Sequence, residues 1–80
     1  MTRTPREFAA FGFESTHEAL DAEQLLGDLG IEVVPMPAPK TLGARCGIAL
    51  RIELADEDRA AVYLDAAGIL VRAKGRIEDV

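Results

Sequence analysis

Eighty residues, 49% hydrophobic and 29% charged, describe one small globular domain near the lower limit of what a single core stabilises unaided. A net charge of −5 argues against nucleic acid, whose phosphates require a positive surface. No apolar run is long enough to span a membrane, residues 1–7 lack the apolar core of a signal peptide, and one cysteine cannot make an internal disulfide, so a cytoplasmic protein is expected.

Residues 1–6 are polar, contain Pro5 and read as a loose tail; residues 7–80 read as the single domain. The aromatic-rich run at residues 7–13 suggests a first strand. Its alternation puts Phe11 and Phe13 on one face, taken as the core side, and Phe8 on the other. Ser15-Thr16-His17-Glu18 fits the capping box, in which the Ser hydroxyl accepts from a first-turn N–H. The helix that follows runs to about Leu29, with Ala19, Ala22, Leu25, Leu26 and Leu29 as its buried stripe. Gly30 closes it, because it takes a positive φ without a Cβ clash.

Residues 31–36 form a second strand, placed at an edge because Pro35 cannot donate to a ladder. The break from Pro37 to Gly47 is the longest in the chain and holds its only cysteine. Connections of such length commonly carry function, and Pro37 and Pro39 stiffen this one. Ile48, Leu50, Ile52 and Leu54 then alternate with Ala49, Arg51 and Glu53, the cleanest period-2 pattern in the protein. Asp56 is placed to cap a second helix over residues 57–67, with Ala60, Tyr63, Leu64 and Ala67 on one face and Gly68 at its end. Residues 69–73 read as a fourth strand and residues 74–80 as a charged tail.

The order βαββαβ predicts an α+β, ferredoxin-like sandwich: a four-stranded antiparallel sheet with both helices on one face. So small a domain leaves sheet surface to cover, and a homodimer is one way to cover it. In this topology strands one and three are antiparallel neighbours, which sets Cys46 and Gly47 beside residues 14–17 at the first helix's N-terminus. Cys46 is in phase with Ile48 and Leu50, so a strand extended that far turns the thiol toward the helices.

A helix N-terminus offers unpaired N–H groups and partial positive charge, both of which favour a thiolate. Arg45 and Lys40 add positive charge to an acidic protein. Ser15 and Thr16 are candidate hydroxyl donors to a carried atom, His17 a candidate proton shuttle, and Gly47 a point of close backbone approach. Each residue also has a plainer role: Cys46 as a small buried hydrophobe, residues 15–18 as a helix start, His17, Arg45 and Lys40 as solvated charges. One His and one Cys make no zinc site within a chain, and no metal or cofactor is expected.

The blocks Phe13-Glu14-Ser15-Thr16-His17-Glu18-Ala19-Leu20, Gly30-Ile31, Pro37-Ala38-Pro39 and Cys46-Gly47-Ile48-Ala49-Leu50-Arg51 together resemble the small selenium/sulfur carrier-like proteins, over about residues 8–68. The resemblance implies a carrier that holds sulfur or selenium on Cys46, with Gly47 as its structural neighbour. It also implies a donor protein and an acceptor enzyme as partners, with no turnover by the isolated domain. The segment Thr41-Leu42-Gly43-Ala44-Arg45 departs from the serine-richer loops of such relatives. Lack of a second cysteine agrees with transfer to a partner rather than release through an internal disulfide. Three other readings use the same residues: a small-ligand-binding or dimeric regulatory module with a structural cysteine, a redox switch or small enzyme, and a metal site shared across a dimer by Cys46 and His17.

Overall fold

The computed structural model, which describes residues 6–42 and 47–79, has the order βαββαβ. Its elements are β1 (Arg6–Gly12), α1 (Thr16–Asp28), β2 (Val33–Pro37), β3 (Ile48–Glu53), α2 (Glu57–Ala66) and β4 (Ala73–Asp79), with 3-10 turns at Lys40–Leu42 and Leu54–Asp56. The sheet order is β2-β3-β1-β4 with every neighbouring pair antiparallel, the arrangement expected of a ferredoxin-like sandwich. Arg6 opens β1 instead of belonging to a tail, and residues 1–5 lie outside the described residues.

One face of the sheet carries the main core. Ala9, Phe11 and Phe13 lie with Leu50 and Ile52 beneath Ala19, Ala22 and Leu26 of α1 and Ala60 and Leu64 of α2. Each helix ends in the same way. The Ile31 N–H donates to the Leu26 carbonyl at 2.9 Å and the Gly30 N–H to that of Gly27 at 3.1 Å. After α2, Ile69 donates to Leu64 at 2.9 Å and Gly68 to Asp65 at 3.0 Å. These are Schellman motifs, which turn on a glycine at positive φ, here +81° for Gly30 and +78° for Gly68. The reversal explains why Leu29 is 43% exposed rather than part of the buried stripe: it is the cap residue, and Ile31 takes the core position. Ala67 leaves the apolar face for the same reason, and Tyr63 is exposed at its margin.

Three further expectations are corrected. Leu54 does not continue β3; it begins a 3-10 turn and is exposed. Asp56 precedes α2 without capping it through its side chain, because its carboxylate accepts from Arg59 at 2.9 and 3.0 Å. The fourth strand is the charged segment beginning at Ala73, not residues 69–73, although Ile69 and Val71 do pack against the core. In β4, Lys74, Arg76 and Glu78 stand on the helix-side face, opposite Phe11, Ala9 and Glu7. The Lys74 ammonium lies 5.9 Å from the Phe11 ring centroid, and Arg76 reaches Glu57 of α2 at 2.6 Å. Charged heads with aliphatic stems thus cover the edge that the helices leave open.

No α-helix among the described residues covers the other face of the sheet, yet Phe8, Ala10 and Ala49 are almost wholly buried. The Phe8 ring is flanked by the guanidinium groups of Arg6 and Arg51, 4.5 and 4.3 Å from its centroid. Arg6 also donates two 2.7 Å hydrogen bonds to Glu53. Those bonds hold its pKa above the ordinary value, partial desolvation opposing and the charges of Glu53 and Glu32 adding to them. Leu42, in the β2–β3 connection, packs against Gly75 of β4. Since β2 and β4 are opposite edges, the connection crosses the sheet, roughly 14 Å at the usual strand spacing. Part of the surface expected to need a dimer is therefore covered from within the chain.

Candidate functional site

Register fixes what meets at the end of the sheet. Gly12 is paired with Ala49 on one side and Ala73 on the other, and Pro37 is paired with Ile48. The exit of β1 toward α1, the entry to β3, the entry to β4 and the exit of β2 therefore lie together. Gly47 and Ile48 lie at the sheet end from which the chain leaves β1 for α1; the expected placing of Cys46 beside residues 14–17 falls outside the described residues.

Within that neighbourhood the side chains have definite employments. Ser15 is the N-cap of α1, in extended backbone, and its Oγ accepts from the Glu18 N–H at 3.2 Å. Its sequence position follows from chemistry, since a short hydroxyl side chain satisfies an otherwise orphaned first-turn donor. Thr16 is exposed on the first turn. His17 is 85% exposed at its side chain, with Nε2 3.3 Å from Asp21 Oδ2 one helical turn onward. Its ring is thus placed along the solvent face of α1. Lys40 is exposed on the 3-10 turn of the connection.

Gly47 is exposed and adopts φ +74°, a conformation that residues with a Cβ resist. Its carbonyl accepts from the Ala38 N–H at 2.9 Å, one step beyond the last β2–β3 pair, so the two ends of the connection are clasped together. Extended alternation starts at Ile48, and the phase expected of Cys46 lies outside the described residues. Cys46 and Arg45 lie outside the described residues, as do Gly43 and Ala44.

Two features of this end were not singled out by sequence reasoning. Arg72, read there as strand, donates its N–H to the Gly12 carbonyl at 2.9 Å and places Nε 3.2 Å from Glu14 Oε2. It supplies a cation beside the start of α1, largely offset by its partner. The second is the Leu42–Gly75 contact on the face of the sheet opposite α1 and α2. Nothing local in either segment announces these pairings, which depend on where β4 docks. Among the described residues no group of three His, Cys, Asp or Glu side chains is arranged to hold a metal, and no helix is long and apolar enough to cross a membrane.

Residues 9–74 match the profile of the family described as "Putative Se/S carrier protein-like". The chain belongs to that family. Comparison with curated proteins and with solved structures returns no match. Family membership spans both halves of the sandwich and the whole β2–β3 connection, including Cys46. It agrees with the likeness carried by the Ser-Thr-His turn, the Pro-Ala-Pro run and the Cys-Gly-Ile-Ala-Leu-Arg block.

Proposed function

We propose that this protein carries sulfur or selenium on Cys46 and passes it to a partner enzyme, acting as a covalent carrier rather than a turnover enzyme. The observation that carries this reading is membership of the carrier-like family across residues 9–74, a span that contains the chain's single cysteine. The structure supports it with a clasped connection whose final described residue before β3 is a glycine at positive φ, at the sheet end where α1 begins.

The transfer is a thiolate exchange. The Cys46 thiolate attacks the outer sulfur of a donor persulfide, R–S–SH, and forms a new S–S bond. The donor's S–S bond breaks, R–S⁻ leaves, and the proton of the persulfide stays with the transferred sulfur. An acceptor thiolate repeats the step on Cys46–S–SH. No net oxidation occurs, so neither an external oxidant nor a second cysteine in the chain is required. The selenium case replaces the transferred sulfur atom with selenium. In this reading Gly47 shapes the connection next to the thiol, and Arg45 contributes positive charge that favours the thiolate. Ser15, the N-cap of α1, and Thr16, its first residue, are the candidate hydroxyl donors, and the N-terminal dipole of α1 acts in the same direction.

The test is labelled-sulfur transfer from a cysteine desulfurase followed by intact-mass measurement. Wild type gains one labelled sulfur per chain and Cys46→Ser gains none. Equal uptake by the two ends the carrier reading. The pH midpoint of Cys46 alkylation is expected below the ~8.5 of a free thiol. A second reading, a small-ligand module, draws on the apolar groove of about 320 Å³ between α2 and the start of β4, lined in part by Val62, Ile69 and Leu70. Ligand binding that survives Cys46→Ser, with no sulfur uptake by wild type, would favour it.

A further inference from the structure

We infer that Leu42 and Gly75 act as a lock that seats residues 38–42 of the β2–β3 connection on the face of the sheet opposite α1 and α2, and that Gly75 is thereby a positioning residue for that segment. The chemical readout of this inference rests on the carrier reading; its structural readout does not. Glycine inside a strand needs a reason, because it weakens the strand and packs nothing. Gly30, Gly47 and Gly68 have a backbone reason in their positive φ, and Gly75 does not. A Cβ on Gly30, Gly47 or Gly68 would meet nothing within 4 Å, whereas one on Gly75 would stand 3.1 Å from Leu42 Cδ1. Lack of a side chain at residue 75 is therefore a matter of space for Leu42.

The surrounding surface fits that purpose. Gly75 is paired across the ladder with Ala10, and Gly12 with Ala49, so this part of the face is floored by small side chains. Ala10 and Ala49 are fully buried although no α-helix among the described residues lies on that side. Leu42 is fixed on its own side by a 3.0 Å bond from its N–H to the Pro39 carbonyl, and the connection's ends by the Ala38–Gly47 bond. With its ends clasped, the connection has one further described anchor on β4, at the opposite edge from β2.

Amide hydrogen exchange followed by NMR reads the lock directly. Gly75→Val and Leu42→Ala are each expected to speed exchange at the Ala38 and Leu42 amides by about tenfold or more, while the β1–β3 ladder amides keep their rates. The double variant moves the lost volume across the contact and is expected to bring those amides back toward wild type. The pH midpoint of Cys46 alkylation should shift in both single variants and return in the double. Leu42→Ala adds no atoms and keeps the experiment usable if Gly75→Val does not fold. Unchanged Ala38 exchange in Leu42→Ala, or additive losses in the double variant, overturns the lock. Altered exchange with an unaltered alkylation profile overturns the positioning role. A wild-type midpoint like that of a free thiol counts against the carrier reading and leaves the exchange result to decide the lock.

Discussion

The two faces of this sheet bury their surface by different means. On the helix side, large side chains of the sheet (Phe11, Leu50, Ile52) and Phe13 just beyond β1 meet small and branched ones from two helices. On the opposite side the sheet is small where the connection crosses, at Ala10, Ala49 and Gly75, and large at Phe8, where two guanidinium groups lie against the ring. A packed layer with its own backbone stands about 10 Å from a sheet, which leaves room for side chains from both. A seated loop lies closer, so its floor must be nearly bare. One face therefore supplies most of the stability, and the other seats Leu42 of the β2–β3 connection against Gly75.

Substitutions on the two faces should separate these roles. Phe11→Ala opens a hole under both helices and is expected to cost about 3–5 kcal/mol. Against a typical total of about 5–15 kcal/mol, with a domain this small near the low end, much of the population should unfold in mild urea. Circular dichroism across a urea series measures it. Ala49→Leu overfills the floor beneath the connection and is expected to cost about 1–3 kcal/mol, with the Ala38 amide exchanging faster than the ladder amides. If the two variants prove equally costly and uniform in exchange, the proposed division between the faces is wrong. Phe8→Leu removes the ring but keeps an apolar body, for an expected loss of about 1–2 kcal/mol with no change in sulfur uptake.

The same division explains which parts were legible beforehand. Helix boundaries were readable because they depend on local chemistry, Ser15 at one start and Gly30 and Gly68 at the two ends. Strand β3 was readable from alternation, since its neighbours lie in the sheet on both sides. Strand β4 was not, because Gly75 reads as a breaker and its charged residues face the helix side, where covering is done by side-chain stems instead of a helix. Its identity as a strand comes from the seven-residue ladder with β1, a non-local fact. That the exit of β1 meets the entry of β3 at one sheet end followed from topology. The crossing of the connection to the far edge did not, because Leu42 and Gly75 are neighbours only after β4 has docked.

The smallest effect asked of this division is at His17. Its ring lies on the outer surface of α1 with Nε2 3.3 Å from Asp21, whereas the Leu42 end of the connection is seated on the sheet's opposite face. An exposed pair of this kind is worth little, so His17→Ala is expected to change stability by less than about 0.5 kcal/mol. The sharper readout is chemical. A residue that relays protons to a thiol must come within hydrogen-bond reach of it, directly or through one water. If His17 stays with Asp21, the pH profile of Cys46 alkylation and the rate of sulfur uptake are the same in His17→Ala as in wild type. A changed alkylation profile or slower uptake in His17→Ala would mean that the ring leaves Asp21 and serves the connection, tying the helix N-terminus to the chemistry at the sheet end.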